Sequence, residues 1–183
     1  HNPYPYNYDK THQIKDLIDK GDLAIGNKVK TAGRIVSQRN MGKASFIHIQ
    51  DLSGKIQVYL KNDILPDNIY DEVVRNLDLG DIVGCSGEIF ITKTEEFSIK
   101  ADNLQILSKN IRPLPNLKEK EGTVFNTFDD KELRYRHRQL DLIANPEVKN
   151  IFIKRAQIVS SLRSYLDENE FIEVETPVLQ PIY

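Results

Sequence analysis

Apolar and polar positions alternate with a period of two over three stretches near the start of the chain. Val29, Thr31, Gly33 and Ile35 alternate with Lys28, Lys30 and Arg34. Ile47 and Ile49 alternate with Phe46, His48 and Gln50, and Ile56, Val58 and Leu60 with Lys55, Gln57 and Tyr59. Successive residues of a strand face opposite sides, so these are half-buried strands, the last two joined into a hairpin by Asp51-Leu52-Ser53-Gly54. Ahead of them, residues 1–10 have no period and read as an irregular lead-in. Thr11 is placed to cap a short helix carrying Ile14, Leu17 and Ile18 and ending near Gly21. From Asp67 to Leu77 the spacing turns helical, with Ile69, Val73, Val74 and Leu77 on one side. Strands resume over Asp81–Ile91 and Glu95–Leu107 around a Thr92-Lys93-Thr94 turn. A slip of phase near Asp102-Asn103 predicts a bulge that returns Leu104 and Ile106 to the interior.

Three strands, a helix and two strands is the order of the OB-fold, a five-stranded barrel with a helix between its third and fourth strands. From Ser108 to Phe128 periodicity disappears, and Arg112-Pro113-Leu114-Pro115 stiffens what reads as a linker. Beyond it a helix is expected from Asp129 to Ile143, with Glu132 placed for a capping box. A second helix has Asn145 as N-cap and Pro146 at its first position. Its stripe of Val148, Phe152, Ala156, Val159, Leu162 and Leu166 needs a partner surface, and Phe171–Leu179 is expected to follow as a strand. The expected division is an extension over 1–26, the all-β barrel over 27–107, a linker over 108–128 and a further domain opening at 129.

Formal net charge is −2, so no overall basic excess announces a nucleic acid. The balance is local: Lys28 to Leu60 carries six cations against Asp51 alone, while Lys61 to Gly80 carries two cations against five acids. That asymmetry concentrates positive potential on one region. A lone Cys85 rules out a disulfide within the chain and fits a reducing, cytoplasmic setting. No apolar run reaches the length of a membrane span, and His1 in place of Met suggests a piece of a longer protein.

Strand phase assigns the chemistry to one face. Because Ile47 and Ile49 take the interior, Phe46 faces outward with His48 and Gln50; Gln57 and Tyr59 face outward from the paired strand, as does Glu96. An outward ring beside amide, cationic and carboxylate groups suits an unpaired base, with the ring as stacking platform and polar groups at the base edge. Tyr59 is assigned to cross-strand cover, His48 to a solvated strand position, and Lys28 and Lys30 to solvated charge. Arg34, Arg39 and Lys43 form a strip suited to phosphates. The sequence holds no metal-ligand spacing, nucleophile–base pair or glycine-rich phosphate loop, so no catalytic or metal residue is assigned.

The run Met41-Gly42-Lys43-Ala44-Ser45-Phe46, then Gln50-Asp51 and Gly54-Lys55-Ile56-Gln57, resembles the anticodon-binding barrel of class II lysyl-tRNA synthetases. So do Leu79 to Gly84, Thr92-Lys93-Thr94 and Phe97-Ser98-Ile99. Ile111-Arg112-Pro113-Leu114-Pro115 and the run Leu133 to Leu142 are similar to segments of the same enzymes. Phe171 to Pro177 resembles motif 1 of class II enzymes, a dimerisation element. Aspartyl and asparaginyl enzymes share the barrel and motif 1; the connector and the Arg-Tyr-Arg run favour the lysine enzyme.

This resemblance implies that residues 129–183 open an α+β catalytic domain, with Phe171, Glu175 and Pro177 at a dimer interface. It implies Phe46 as the ring that stacks on the middle anticodon base, a uridine, with Arg39, Gln57 and Glu96 reading its edge and Arg34 and Lys43 near the RNA backbone. The family has glycine before the glutamate; here Glu95 precedes Glu96, so either acid could read the base, and register favours Glu96. The whole enzyme would take ATP and Mg2+, charge tRNA(Lys) and work as a homodimer. Its motifs 2 and 3 are expected beyond Tyr183, so residues 1–183 alone are expected to bind tRNA without aminoacylating it. The alternatives are a generic single-stranded nucleic-acid module and a purely structural dimerisation segment.

Overall fold

The structure is a computed structural model that describes residues 5, 7–66, 68–115, 117–120, 123–126, 128 and 130–176. The chain forms two compact units, residues 1–114 and 115–183.

In the first unit five strands close a barrel: β1 (Lys28–Met41), β2 (Ala44–Gln50), β3 (Lys55–Lys61), β4 (Ile82–Ile91) and β5 (Phe97–Ser108), in the order β1-β2-β3-β5-β4. The long β1 pairs with β4 through its first half and with β2 through its second, with an irregularity between Ile35 and Ser37. The β3–β5 pairing is parallel and completes the ring. Every inward position expected from the alternation is buried: Val29, Thr31 and Ile35 on β1, Ile47 and Ile49 on β2, Ile56, Val58 and Leu60 on β3. The phase slip on β5 is real. Ser86 pairs with Asn103 and Gly87 with Ala101, so Asp102 is the extra residue; beyond it Leu104 is buried and Ile106 is half-buried against the core. At this bulge a Cβ on Gly87 would lie 2.1 Å from the Lys100 carbonyl oxygen, so only glycine lets the two strands approach.

Helix α1 (Ile14–Lys20) buries Ile14 and Leu17 against the barrel. Its N-cap is Gln13, whose N–H donates to Asp16 at 3.3 Å; Thr11 instead bonds Lys30 across to β1, at 2.9 Å from the Lys30 nitrogen. The expected helix over 67–77 is two shorter pieces, α2 (Ile69–Glu72) and a 3-10 turn (Val74–Asn76), with Asp67 outside the described residues. Tyr70, Val73, Val74 and Leu77 all turn inward. Val73, Val74 and Leu77 are buried as the helical spacing expects, and Tyr70 joins them although the segment is divided into two short turns. The Tyr70 hydroxyl lies 2.9 Å from both the Ser45 hydroxyl and the Gly42 carbonyl, tying this segment to the β1–β2 turn.

The second unit departs further from expectation. Part of the aperiodic stretch is a small hairpin of β6 (Leu117–Lys120) and β7 (Thr123–Asn126), strands too short to show a period. The helix expected over 129–143 is broken at His137 into α3 (Lys131–Arg136) and α4 (Arg138–Ala144). Arg134, Arg138 and Asn145 all bond the buried Asp141 carboxylate. Asp130 caps α3 through the Leu133 N–H, while Glu132 pairs with Arg136 rather than closing a capping box. Helix α5 (Pro146–Glu168) begins and ends as expected, at Asn145-Pro146 and Asn169. The strand expected over 171–179 is absent over 171–176, where the backbone is irregular; 177–179 lie outside the described residues. A strand needs a ladder, and this exposed segment has none over its described residues; Glu173 accepts a bond from Arg163 of α5 at 3.1 Å. Among the described residues no helix is long and apolar enough to cross a membrane.

Candidate nucleic-acid interface

Register across the barrel wall sets the site. One row runs Ser37, His48, Gln57, Ser98 and Phe90 through β1, β2, β3, β5 and β4, each opposite the next. The neighbouring row begins Arg39, Phe46 and Tyr59. Because side chains two apart on a strand share a face, both rows point outward together. Gln57 and Phe90 of the first row, with Arg39, Phe46 and Tyr59 of the second, floor a groove of about 480 Å3, walled on one side by the β4–β5 turn with Thr92, Lys93, Thr94 and Glu96.

Three rings line the groove. Phe46 and Tyr59 are cross-strand partners with centroids 4.9 Å apart, and Tyr59 lies 6.0 Å from Phe90. All three are half-buried, so each keeps a face for solvent or a ligand. Phe46 is where strand phase put it, outside the barrel and in one groove with Glu96. Tyr59 is both the cross-strand partner expected and part of the groove floor. Phe90, from β4, joins them unanticipated; its alternation with the apolar Ile89 is the signal in the sequence that could have found it.

The turn separates the two acids. Glu95 adopts a left-handed conformation, φ 59°, a geometry suited to glycine, and its side chain is exposed. Glu96 follows with its N–H donating to the Thr92 hydroxyl at 3.0 Å, and its side chain enters the groove. Both carboxylate oxygens already have partners. His48 Nε2 lies 2.8 Å from Oε1, and Gln57 Nε2 donates to Oε2 at 2.6 Å. Gln57 faces outward as expected yet is only 8% exposed, because the Glu96 turn covers it. The Ser98 hydroxyl donates to Gln57 Oε1 at 2.9 Å, which fixes the amide's orientation and leaves one Nε2 hydrogen uncommitted by these bonds. His48, assigned to solvent from sequence, is bound at both ring nitrogens, with Ser37 Oγ 2.8 Å from Nδ1.

Of the cations assigned to RNA, Arg39 lines the groove and Lys43 is exposed beside the β1–β2 turn. Arg34 is elsewhere: its guanidinium donates to the Gly80 carbonyl at 2.8 Å and does not line the groove. Lys93 on the β4–β5 turn, not assigned from sequence, does. In the second unit Phe171 and Glu175 are exposed, and Pro177 lies outside the described residues.

Residues 29–107 match the family of OB-fold nucleic acid binding domains, and residues 130–183 match the class II tRNA synthetases (D, K and N). Among curated relatives, the chain is 47% identical over 180 residues to a lysine–tRNA ligase of Fusobacterium nucleatum, covering 98% of this chain and 35% of that protein. It is 44% identical over 180 residues to a lysine–tRNA ligase of Carboxydothermus hydrogenoformans, with the same coverage of 98% and 35%. A lysine–tRNA ligase of Coxiella burnetii is 44% identical over 172 residues, 93% of this chain and 33% of that protein. The chain thus spans about a third of the length of the curated relatives it matches.

Proposed function

Because the chain belongs to the class II tRNA synthetases (D, K and N) and carries an OB-fold nucleic acid binding domain, we propose that its barrel reads the anticodon of tRNA(Lys). The supporting observation is a carboxylate, Glu96, held at the rim of a groove floored by three aromatic rings. Phe46 stacks on the unpaired middle base, a uridine. Uracil offers an N3–H donor between two carbonyls, whereas cytosine offers a bare N3 lone pair at the same place. An ionised carboxylate only accepts hydrogen bonds, so Glu96 accepts from uracil and repels cytosine. Gln57 gives its remaining amide hydrogen to a base carbonyl, and Arg39 donates to the second carbonyl or the adjoining phosphate.

For the whole protein the proposed reaction is that named for its relatives, ligation of lysine to tRNA, with ATP and Mg2+ as the expected co-reactants and the cytoplasm as the setting. A homodimer is proposed through the exposed apolar face of α5 and the segment carrying Phe171 and Glu175.

Titrating the chain with a lysine-type anticodon stem-loop, the same loop with cytidine at the middle position, and a scrambled oligonucleotide tests the recognition. The uridine loop is expected to bind tightest. Phe46→Ala is expected to weaken it by about 1–3 kcal/mol, the worth of one base–ring stack. Equal affinity for all three RNAs would reduce the barrel to a generic single-strand binder.

A further inference from the structure

The acid in the groove is oriented before any ligand arrives, and one of the two groups that orient it is an imidazole. Glu96 sits at the end of a turn with its side chain 44% exposed, a position from which a carboxylate could swing into solvent. It does not, because His48 and Gln57 each hold one oxygen. A carboxylate cannot donate, so the hydrogen between His48 and Glu96 resides on Nε2. Nδ1 then accepts from the Ser37 hydroxyl when the ring is neutral, or donates to it when the ring is charged. Either way Ser37 fixes the ring plane from behind, and the chain Ser37–His48–Glu96 spans β1, β2 and the β4–β5 turn.

We propose that His48, backed by Ser37, is a positioning residue that sets the base selectivity of this groove by locking the Glu96 carboxylate toward a pyrimidine N–H. The proposal rests on the reading of the groove as a pyrimidine site. Its reasoning is differential. Uracil and cytosine both present a flat π face, so stacking on Phe46 barely separates them. The separation lies in where the Glu96 lone pairs point. A loosened carboxylate turns away from both bases, losing its bond to uracil and its repulsion of cytosine together. Loss of His48 therefore narrows the preference rather than lowering affinity uniformly.

The test is the ratio of affinities of the full chain for stem-loops with uridine or cytidine at the middle anticodon position. His48→Ala is expected to cut the uridine preference by about tenfold, the worth of one charge-assisted hydrogen bond. His48→Gln, whose Nε2 reaches as far and can donate, is expected to recover most of it. His48→Asn, too short to reach Glu96, is expected to behave as His48→Ala. An undiminished preference in His48→Ala, an equal loss for both loops, or no recovery in His48→Gln would each overturn the positioning role. Should His48→Ala fail to fold by circular dichroism, Ser37→Ala carries the same measurement: a smaller narrowing supports the proposal and an unchanged ratio overturns it. A wild-type chain with no uridine preference would overturn the pyrimidine reading itself, a result distinct from those above.

Discussion

Arg34 and Arg39 share a strand and a charge but not a neighbourhood. The first is engaged by the Gly80 carbonyl, and the second lines the groove beside Lys93. Binding of a single strand releases condensed counterions in proportion to the phosphates neutralised, with a slope of about −0.7 per contact in log affinity against log salt. Arg39→Ala is therefore expected to flatten that slope by about 0.7, while Arg34→Ala leaves it unchanged. A salt titration of the anticodon stem-loop checks both, and a flattened slope in Arg34→Ala would restore that residue to the backbone-contacting strip. Local pattern could not separate these two arginines, because both are polar positions on the same strand. It did orient Phe46 and Glu96, since their neighbours Ile47, Ile49 and Ile99 are committed to the interior at 0% exposure. The partners of His48 depend on which strands become neighbours. The parallel β3–β5 pairing that brings the β4–β5 turn over Gln57 is a property of barrel closure, and no window of sequence contains it.

Elements are joined at a few polar knots, and Asp51 ties the most of them. Its carboxylate accepts from the Ser53 hydroxyl at 2.6 Å and from the backbone N–H groups of Ser53, Gly54 and Ile14, so the β2–β3 turn and the start of α1 are fixed by one side chain. Burial alone would push its pKa upward, but the bonds from Ser53, Ile14 and Gly54 outweigh it and hold the carboxyl below the ordinary aspartate range. The folded value thus lies below the unfolded one. Ionised Asp51 stabilises the fold fully above about pH 4, and that contribution disappears as pH falls through the folded value. Asp51→Ala is expected to cost about 1–3 kcal/mol at neutral pH, from donors left unpaired. Urea unfolding across pH should show the wild-type and variant curves converging on acidification; parallel curves would remove Asp51 from this role. The turn itself was readable from Asp51-Leu52-Ser53-Gly54, as was the bulge at Asp102 from its broken alternation. The break at His137 was not, because an unbroken helical period runs through it. Arg134, Arg138 and Asn145 share one helical face with Asp141, so their bonds to it follow that same period and give the break no signal in the sequence.

At the scale of the molecule, two surfaces of opposite character need partners. The barrel's groove places Arg39 and Lys93 beside its rings on a chain of net charge −2, a local positive charge suited to a polyanion. Helix α5 presents the other. Phe152, Val159, Leu162 and Leu166 of the expected stripe are all exposed, Leu162 at 57%, and Ile158 and Tyr165 extend the patch. Singly exposed apolar residues are ordinary, but a stripe of this length on one helix is a contact surface. Its helical spacing was readable in the sequence; that the stripe stays uncovered was not, since exposure depends on everything else in the fold. In the proposed homodimer a second copy would cover it with the same side chains on both sides, as a two-fold interface requires. Sedimentation over a range of concentrations is expected to show self-association. Leu162→Glu should abolish it by placing a charge at the centre of the patch, where a buried unpaired carboxylate is costly. Because the barrel and α5 belong to separate compact units, the same variant should keep the affinity of the parent for the anticodon stem-loop. A chain that sediments as a monomer at every concentration would leave α5 to a different partner, and a Leu162→Glu variant that also lost RNA binding would tie the two surfaces into one.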